Sequence, residues 1–199
     1  MHKFNNFDSI SLVKILIIDN YDSFTYNLAH YVEAIIGVQV DVVRNDVLDF
    51  DQISCYDKII ISPGPGLPSQ AGDLMSALDI IPKDTPVLAV CLGMQAYAEN
   101  SGLALYNLAQ TRHGIQVKCD IDVSSVIYRG LSTQIEIGLY HSWAVAPANF
   151  EEWKVTGRSE EGVIMSMDHC VKPIYCVQFH PESVLTPQGK IIIANFLKN

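Results

Sequence analysis

Short runs in the first half of the chain are apolar at every position rather than at every second one: Ile15-Leu-Ile-Ile18, Ile59-Ile-Ile61 and Val87-Leu-Ala-Val90. A strand with one wet face alternates, whereas a strand apolar on both sides must be covered on both. The arrangement that does this is a parallel sheet between two layers of helices. The intervening stretches suit that role. Phe24, Leu28, Val32 and Ile35 recur at helical spacing, with Asp22 or Ser23 before them as a cap and Gly37 after them as a stop. Val38 to Val43 alternates as a further strand, and 72–81 reads as a helical stretch ending before Pro82. This tempo predicts an α/β fold with a doubly wound, mostly parallel central sheet and helices on both faces. Ligands in such sheets gather at the carboxyl ends of the strands.

Beyond Gly102 the pattern changes to alternating segments rich in Val, Ile and Tyr: 115–123, 134–137, 140–145, 154–157, 163–167 and 174–179. These predict a smaller antiparallel sheet joined to the main one. Thr186-Pro187 reads as the cap and first residue of a last helix whose apolar face runs from Ile191 to Leu197. The expected organisation is one domain over 14–199 behind an N-terminal extension, 1–13. Hydrophobic residues make up 49% and charged residues 18% of the 199, an ordinary globular balance. The net charge of −9 opposes non-specific nucleic-acid binding. Five cysteines stand without CxxC spacing, which fits neither a zinc knuckle nor a disulfide framework. Residues 1–13 hold no continuous apolar core of the signal-peptide kind, and no apolar run approaches the roughly 20 residues of a membrane span. A cytoplasmic protein with no nucleic-acid or membrane partner is expected.

Chemistry enters at Pro86-Val-Leu-Ala-Val-Cys91-Leu-Gly-Met-Gln95, an apolar run that passes into Ala-Tyr-Ala-Glu. It reads as a buried strand turning sharply into a helix, with Cys91 at the turn. The first N–H groups of a helix carry partial positive charge, which favours a thiolate there. A structural buried cysteine is the rival reading of this segment alone. Near the other end stands Pro173-Ile-Tyr-Cys-Val-Gln-Phe-His180-Pro-Glu182-Ser183. In an extended segment His180 and Glu182 point the same way. A carboxylate would hold the imidazole in one tautomer and leave its other nitrogen to take the thiol proton. Together the segments describe a Cys-His-Glu triad. Zn²⁺ bound by the same residues is the alternative, which the intervening Pro181 and the glycine-rich Ser62-Pro-Gly-Pro-Gly66 fit less well.

Cys91-Leu-Gly-Met-Gln95, Phe179-His180-Pro181-Glu182-Ser183 and Ser62-Pro63-Gly64-Pro65-Gly66-Leu67-Pro68 together resemble the class I, triad-type glutamine amidotransferases. The opening Ile18-Asp-Asn-Tyr-Asp-Ser-Phe-Thr-Tyr-Asn-Leu28 is similar to that of the glutaminase subunits of anthranilate and aminodeoxychorismate synthases. The resemblance runs from Lys14 to the end. It implies hydrolysis of L-glutamine through a Cys91 thioester, with Cys91, His180 and Glu182 catalytic and the N–H groups of Gly66 and Leu92 forming the oxyanion hole. It assigns glutamine binding to Gly64, Gln95, Ser142 and the backbone of Trp143. It also implies a large chorismate-binding synthase subunit that docks near Asn20 to Ser23 and the mouth of the site. No cofactor is expected, with any Mg²⁺ confined to the partner. The alternatives are a free-standing γ-glutamyl hydrolase and a non-catalytic regulatory subunit of a synthase. Met94, Leu139, Trp143 and the Arg112-His-Gly-Ile115 stretch depart from the family's usual pattern, and two of these changes, Leu139 and Ile115, remove positive charge.

Overall fold

The computed structural model describes residues 13–199, so the expected extension lies, apart from Val13, outside the described residues. In chain order the elements are β1 (Ile15–Asp19), α1 (Thr25–Ile36), β2 (Asp41–Arg44), β3 (Lys58–Ile61), α2 (Leu74–Ile80), β4 (Val87–Val90) and α3 (Leu92–Asn100). They continue as β5 (Leu105–Ile121), β6 (Gln134–Val145), β7 (Trp153–Ser159), β8 (Ile164–His169), β9 (Ile174–Val177) and α4 (Gly189–Lys198). Among the described residues the nine strands form one sheet in the order β2-β1-β3-β4-β9-β8-β7-β5-β6. The β2 to β9 half is parallel and the remaining pairings are antiparallel. The antiparallel strands read from the sequence thus continue the parallel sheet directly.

The uniformly apolar strands sit where their pattern requires. Ile15 and Ile17 face a cluster with Leu28 and Val32 of α1 and Ile192, Ile193 and Phe196 of α4. Leu16 and Ile18 face the opposite cluster, with Leu74 and Leu78 of α2 and Leu92 and Met94 of α3. All four β1 side chains are almost fully buried, each contributing roughly 1.5–3 kcal/mol of hydrophobic stabilisation. The α1 helix starts one residue later than a Ser23 cap would place it and two later than an Asp22 cap would. Asp22 Oδ1 accepts the Phe24 N–H at 2.8 Å, an Asx turn leading into the helix, and Gly37 ends it at φ 76°.

Several sequence expectations change in the second half. β5 begins at Leu105, ahead of the expected 115, and β9 ends at Val177, so the segment carrying His180 and Glu182 leaves the sheet and turns instead of extending the strand. Segments 134–137 and 140–145 are one strand, β6, unbroken at Gly138. The Gly138 N–H donates to Thr186 Oγ1 at 2.9 Å and its carbonyl accepts the His180 N–H at 3.1 Å. The sheet therefore curls until β6, last in the order, lies against the segment that follows β9. Thr186 is consequently no helix cap. Its hydroxyl donates to the His180 carbonyl at 2.7 Å, and α4 begins at Gly189 with no side-chain cap. No helix among the described residues is long and apolar enough to cross a membrane.

Candidate active site

Cys91 sits between β4 and α3 at φ 52° and ψ −99°, one of two non-glycine residues with positive φ among those described. Such a conformation costs on the order of 1–3 kcal/mol and persists only where neighbours enforce it. Here the Cys91 N–H donates to the Val177 carbonyl at 2.8 Å, and the Cys91 carbonyl accepts the Gln95 N–H at 3.1 Å. The turn leaves the thiol at the start of α3, next to first-turn N–H groups that have no partner within the helix. Leu92 N–H is the first of these.

The β4–β9 pairing brings up the distant partner. Val90 lies opposite Val177 in parallel register, so the chain emerging from β9 runs beside the turn that carries Cys91. His180 and Glu182 are each 2% exposed, and His180 Nδ1 lies 2.7 Å from Glu182 Oε1. Nδ1–H donates to the carboxylate, which leaves Nε2 without a hydrogen-bond partner among the described residues. The His180 pKa is pushed up to about 10: burial opposes the charged ring, but the Cys91 thiol and the Glu182 carboxylate outweigh it. Aromatic rings wall the imidazole in. Tyr140 meets it edge-on at 4.8 Å between centroids and Phe24, from the Asp-Ser-Phe signature, at 5.6 Å.

Asn20, at the end of β1, fixes the glycine-rich loop after β3. Its backbone N–H donates to Ser62 Oγ at 2.9 Å and its Nδ2 to the Ser62 carbonyl at 2.8 Å. Asn45 Nδ2 holds the Asn20 Oδ1 at 3.0 Å. Gly64 lies so close to Asn20 and Leu92 that a Cβ would meet a side-chain carbon of each at 2.6 Å, so only glycine fits. Gly64, Pro65, Gly66, Cys91, Gln95, Tyr140, His141, Ser142 and Trp143 line one cleft of about 120 Å³. Every residue expected to bind glutamine therefore lines the same cleft as Cys91, and Leu92 packs against Gly64.

Gln95 is 3% exposed, one turn along α3 from Cys91, and its Nε2 donates to the Trp143 carbonyl at 3.0 Å. His141 Nδ1 reaches the same carbonyl at 2.8 Å. Burial, with the charges of His180 and Arg112, lowers the His141 pKa to about 4 despite that hydrogen bond, so the ring is neutral near pH 7 and only weakly basic. Sequence reading missed Gln178. It is wholly buried, with Nε2 donating to Cys91 Sγ at 3.5 Å and Oε1 accepting from Gln95 Nε2 at 3.3 Å. Its signal was its place two residues before His180, a polar side chain directly after the apolar run that forms β9. Met94 and Leu139 are buried in the two core clusters, which accounts for their apolar character. Arg112 pairs with Glu161. No three His, Cys, Asp or Glu side chains among the described residues are grouped to hold a metal ion.

The family profile described as "Glutamine amidotransferase class-I" matches residues 16–199. The chain belongs to the class I glutamine amidotransferases. Within that family it is 43% identical over 186 residues to aminodeoxychorismate synthase component 2 of Klebsiella aerogenes, covering 92% of this chain and 98% of the relative. It is 41% identical to anthranilate synthase component II of Haloarcula marismortui, with 92% and 96% covered. It is 38% identical to aminodeoxychorismate/anthranilate synthase component 2 of Bacillus subtilis, with 92% and 95% covered. A solved GMP synthase subunit from Thermoplasma acidophilum shares the fold at a TM-score of 0.83 and 24% identity, over 94% of this chain and 93% of that one. As an amidotransferase the chain is an enzyme, and its α/β sheet is that of the family.

Proposed function

We propose that this amidotransferase is the glutaminase subunit of a chorismate-utilising synthase, making ammonia for anthranilate or aminodeoxychorismate. The observation that carries the reading is the strained Cys91 turn set beside the unpartnered Nε2 of an imidazole anchored by Glu182. Nε2 takes the thiol proton as Sγ attacks the glutamine amide carbon. The N–H groups of Leu92 and Gly66 receive the negative charge that develops on the amide oxygen. His180 then gives the proton to the departing nitrogen, the C–N bond breaks, and ammonia leaves a glutamyl thioester. Water attacks the thioester with His180 again taking a proton, and glutamate departs as the proton returns to sulfur. Gln95, Ser142 and the Trp143 backbone hold the amino-acid end of the substrate beside Gly64.

The relatives' names as second components support a partner that is a separate synthase chain. The scheme uses no cofactor in this chain and leaves Mg²⁺ to that partner. The half-exposed Tyr21, at the strand ends beside the cleft, is where we place the docking face. A cytoplasmic site of action follows from the same reading. The test supplies purified large subunits of each synthase with chorismate and either glutamine or ammonium salt. Glutamine-dependent anthranilate, aminodeoxychorismate or both identifies the pathway, and Cys91→Ala abolishes the glutamine-dependent product while sparing the ammonium-dependent one. A Cys91→Ala chain that still uses glutamine overturns the mechanism. If no large subunit responds while each still works with ammonium, the pairing is overturned.

A further inference from the structure

Gln178 forms the last link of a buried relay whose direction is fixed at its far end. The Trp143 main-chain carbonyl can only accept, and it is met by His141 Nδ1 at 2.8 Å and Gln95 Nε2 at 3.0 Å. The nitrogen of the Gln95 amide must therefore point to Trp143. That nitrogen has a second hydrogen, which reaches Gln178 Oε1 at 3.3 Å. With its oxygen committed to Gln95, Gln178 turns its own amide nitrogen toward the nucleophile, 3.5 Å from Cys91 Sγ. Sulfur is thus held as an acceptor. An N–H aimed at sulfur gains most when the sulfur is negative, and the buried setting of Gln95 and Gln178 strengthens the effect.

We infer that Gln178 is a further catalytic residue: its amide holds the Cys91 sulfur in line for attack, stabilises the charge on it after His180 has taken the proton, and ties it to the substrate-binding Gln95. The inference rests on the glutaminase reading of the site. It follows that the nucleophile and the group proposed to hold glutamine's amino-acid end are joined through one side chain. Gln178 directly follows β9, on the segment that also carries His180 and Glu182, so one stretch of chain places the amide donor to sulfur, the imidazole and the carboxylate that anchors it.

The experiment uses Gln178→Leu, which keeps bulk and removes both amide functions, and Gln178→Glu, which keeps an oxygen toward Gln95 and loses the donor toward sulfur. Each is assayed in complex with the large subunit that supports turnover, with ammonium-dependent product as the control for folding and docking. Glutamine kcat is expected to fall about tenfold to a hundredfold, the range for a lost hydrogen bond to a charged group. Alkylation of Cys91 by iodoacetamide, which needs a reactive sulfur but neither bound glutamine nor an oxyanion hole, is expected to slow comparably. The Glu variant is expected to be the slower of the two, because it brings a second anion to the sulfur. If KM rises while kcat and alkylation stay at wild-type values, Gln178 merely props Gln95 and the inference is overturned. A Leu variant that fails to fold leaves the decision to the Glu variant. Retained glutamine use by Cys91→Ala would instead sink the glutaminase reading itself, so the two failures are distinguishable.

Discussion

Adding a single methyl at Gly189 tests how rigidly α4 holds the loop that carries His180 and Glu182. A Cβ on Gly189 would sit 1.7 Å from the Pro181 carbonyl oxygen, 2.6 Å from its carbon and 3.0 Å from its Cα. Reaching even 3.0 Å from the oxygen requires the loop and the helix to part by roughly 1.3 Å. Neither side yields freely. Ile192, Ile193 and Phe196 anchor the helix in the core. The loop is bound by the His180 N–H to Gly138 and by Thr186 Oγ1 to the His180 carbonyl, at 3.1 and 2.7 Å. The moving residue stands between His180 and Glu182, whose hydrogen bond is 2.7 Å. A misplacement of about 1 Å at a reacting group costs on the order of a hundredfold in rate. Overpacking of this kind destabilises by about 1–3 kcal/mol. Gly189→Ala is therefore expected to lower glutamine kcat about a hundredfold and to shift the urea midpoint downward. Glutamate release in the complex and urea unfolding of the isolated chain provide the readouts, with ammonium-dependent product as the docking control. A variant within about threefold of wild-type kcat and of equal stability would refute the claim that α4 sets the loop.

Glu182→Gln removes a charge that raises the His180 pKa, so that pKa falls toward 6.5 and kcat drops by roughly 10² to 10⁴, read from the pH dependence of glutamate release. His141 titrates near 4 folded against 6.5 unfolded, so the unfolded chain binds the proton first. Stability is lost as pH falls through that window, by on the order of 3 kcal/mol, and His141→Gln, followed by urea unfolding at pH 7 and 4.5, is expected to lose less. Asp168 is pushed the other way, from 3.8 to about 6, by burial that outweighs the hydrogen bond donated by Thr156 Oγ1 at 3.3 Å. The folded chain keeps that proton longer and loses stability as pH rises from 3.8 through 6. Asp168→Asn is therefore expected to stabilise by up to about 2 kcal/mol at pH 8, with the gain vanishing at pH 4 in the same unfolding assay.

Features with local causes were legible in residue order. Wholly apolar runs at 15–18, 59–61 and 87–90 can be stable only when covered on both faces, and each is buried in that way. The strand-to-helix turn at Cys91 follows from residue order, whereas His180 and Glu182 meet across a turn beyond the end of β9 rather than by strand alternation. What lay beyond reach depended on register between segments far apart in the chain. Whether Gln178 touches Cys91 is decided by Val90 pairing with Val177, which sets the two side by side across 87 residues. The polarity of that contact is decided farther away still, by the Trp143 carbonyl on β6. Thr186 shows the same limit. Beside Pro187 it reads as a helix cap, yet the curl of the sheet offers its hydroxyl the Gly138 N–H and the His180 carbonyl. A hydroxyl bonds to whichever backbone groups burial leaves unpaired, and long-range packing selects which groups those are.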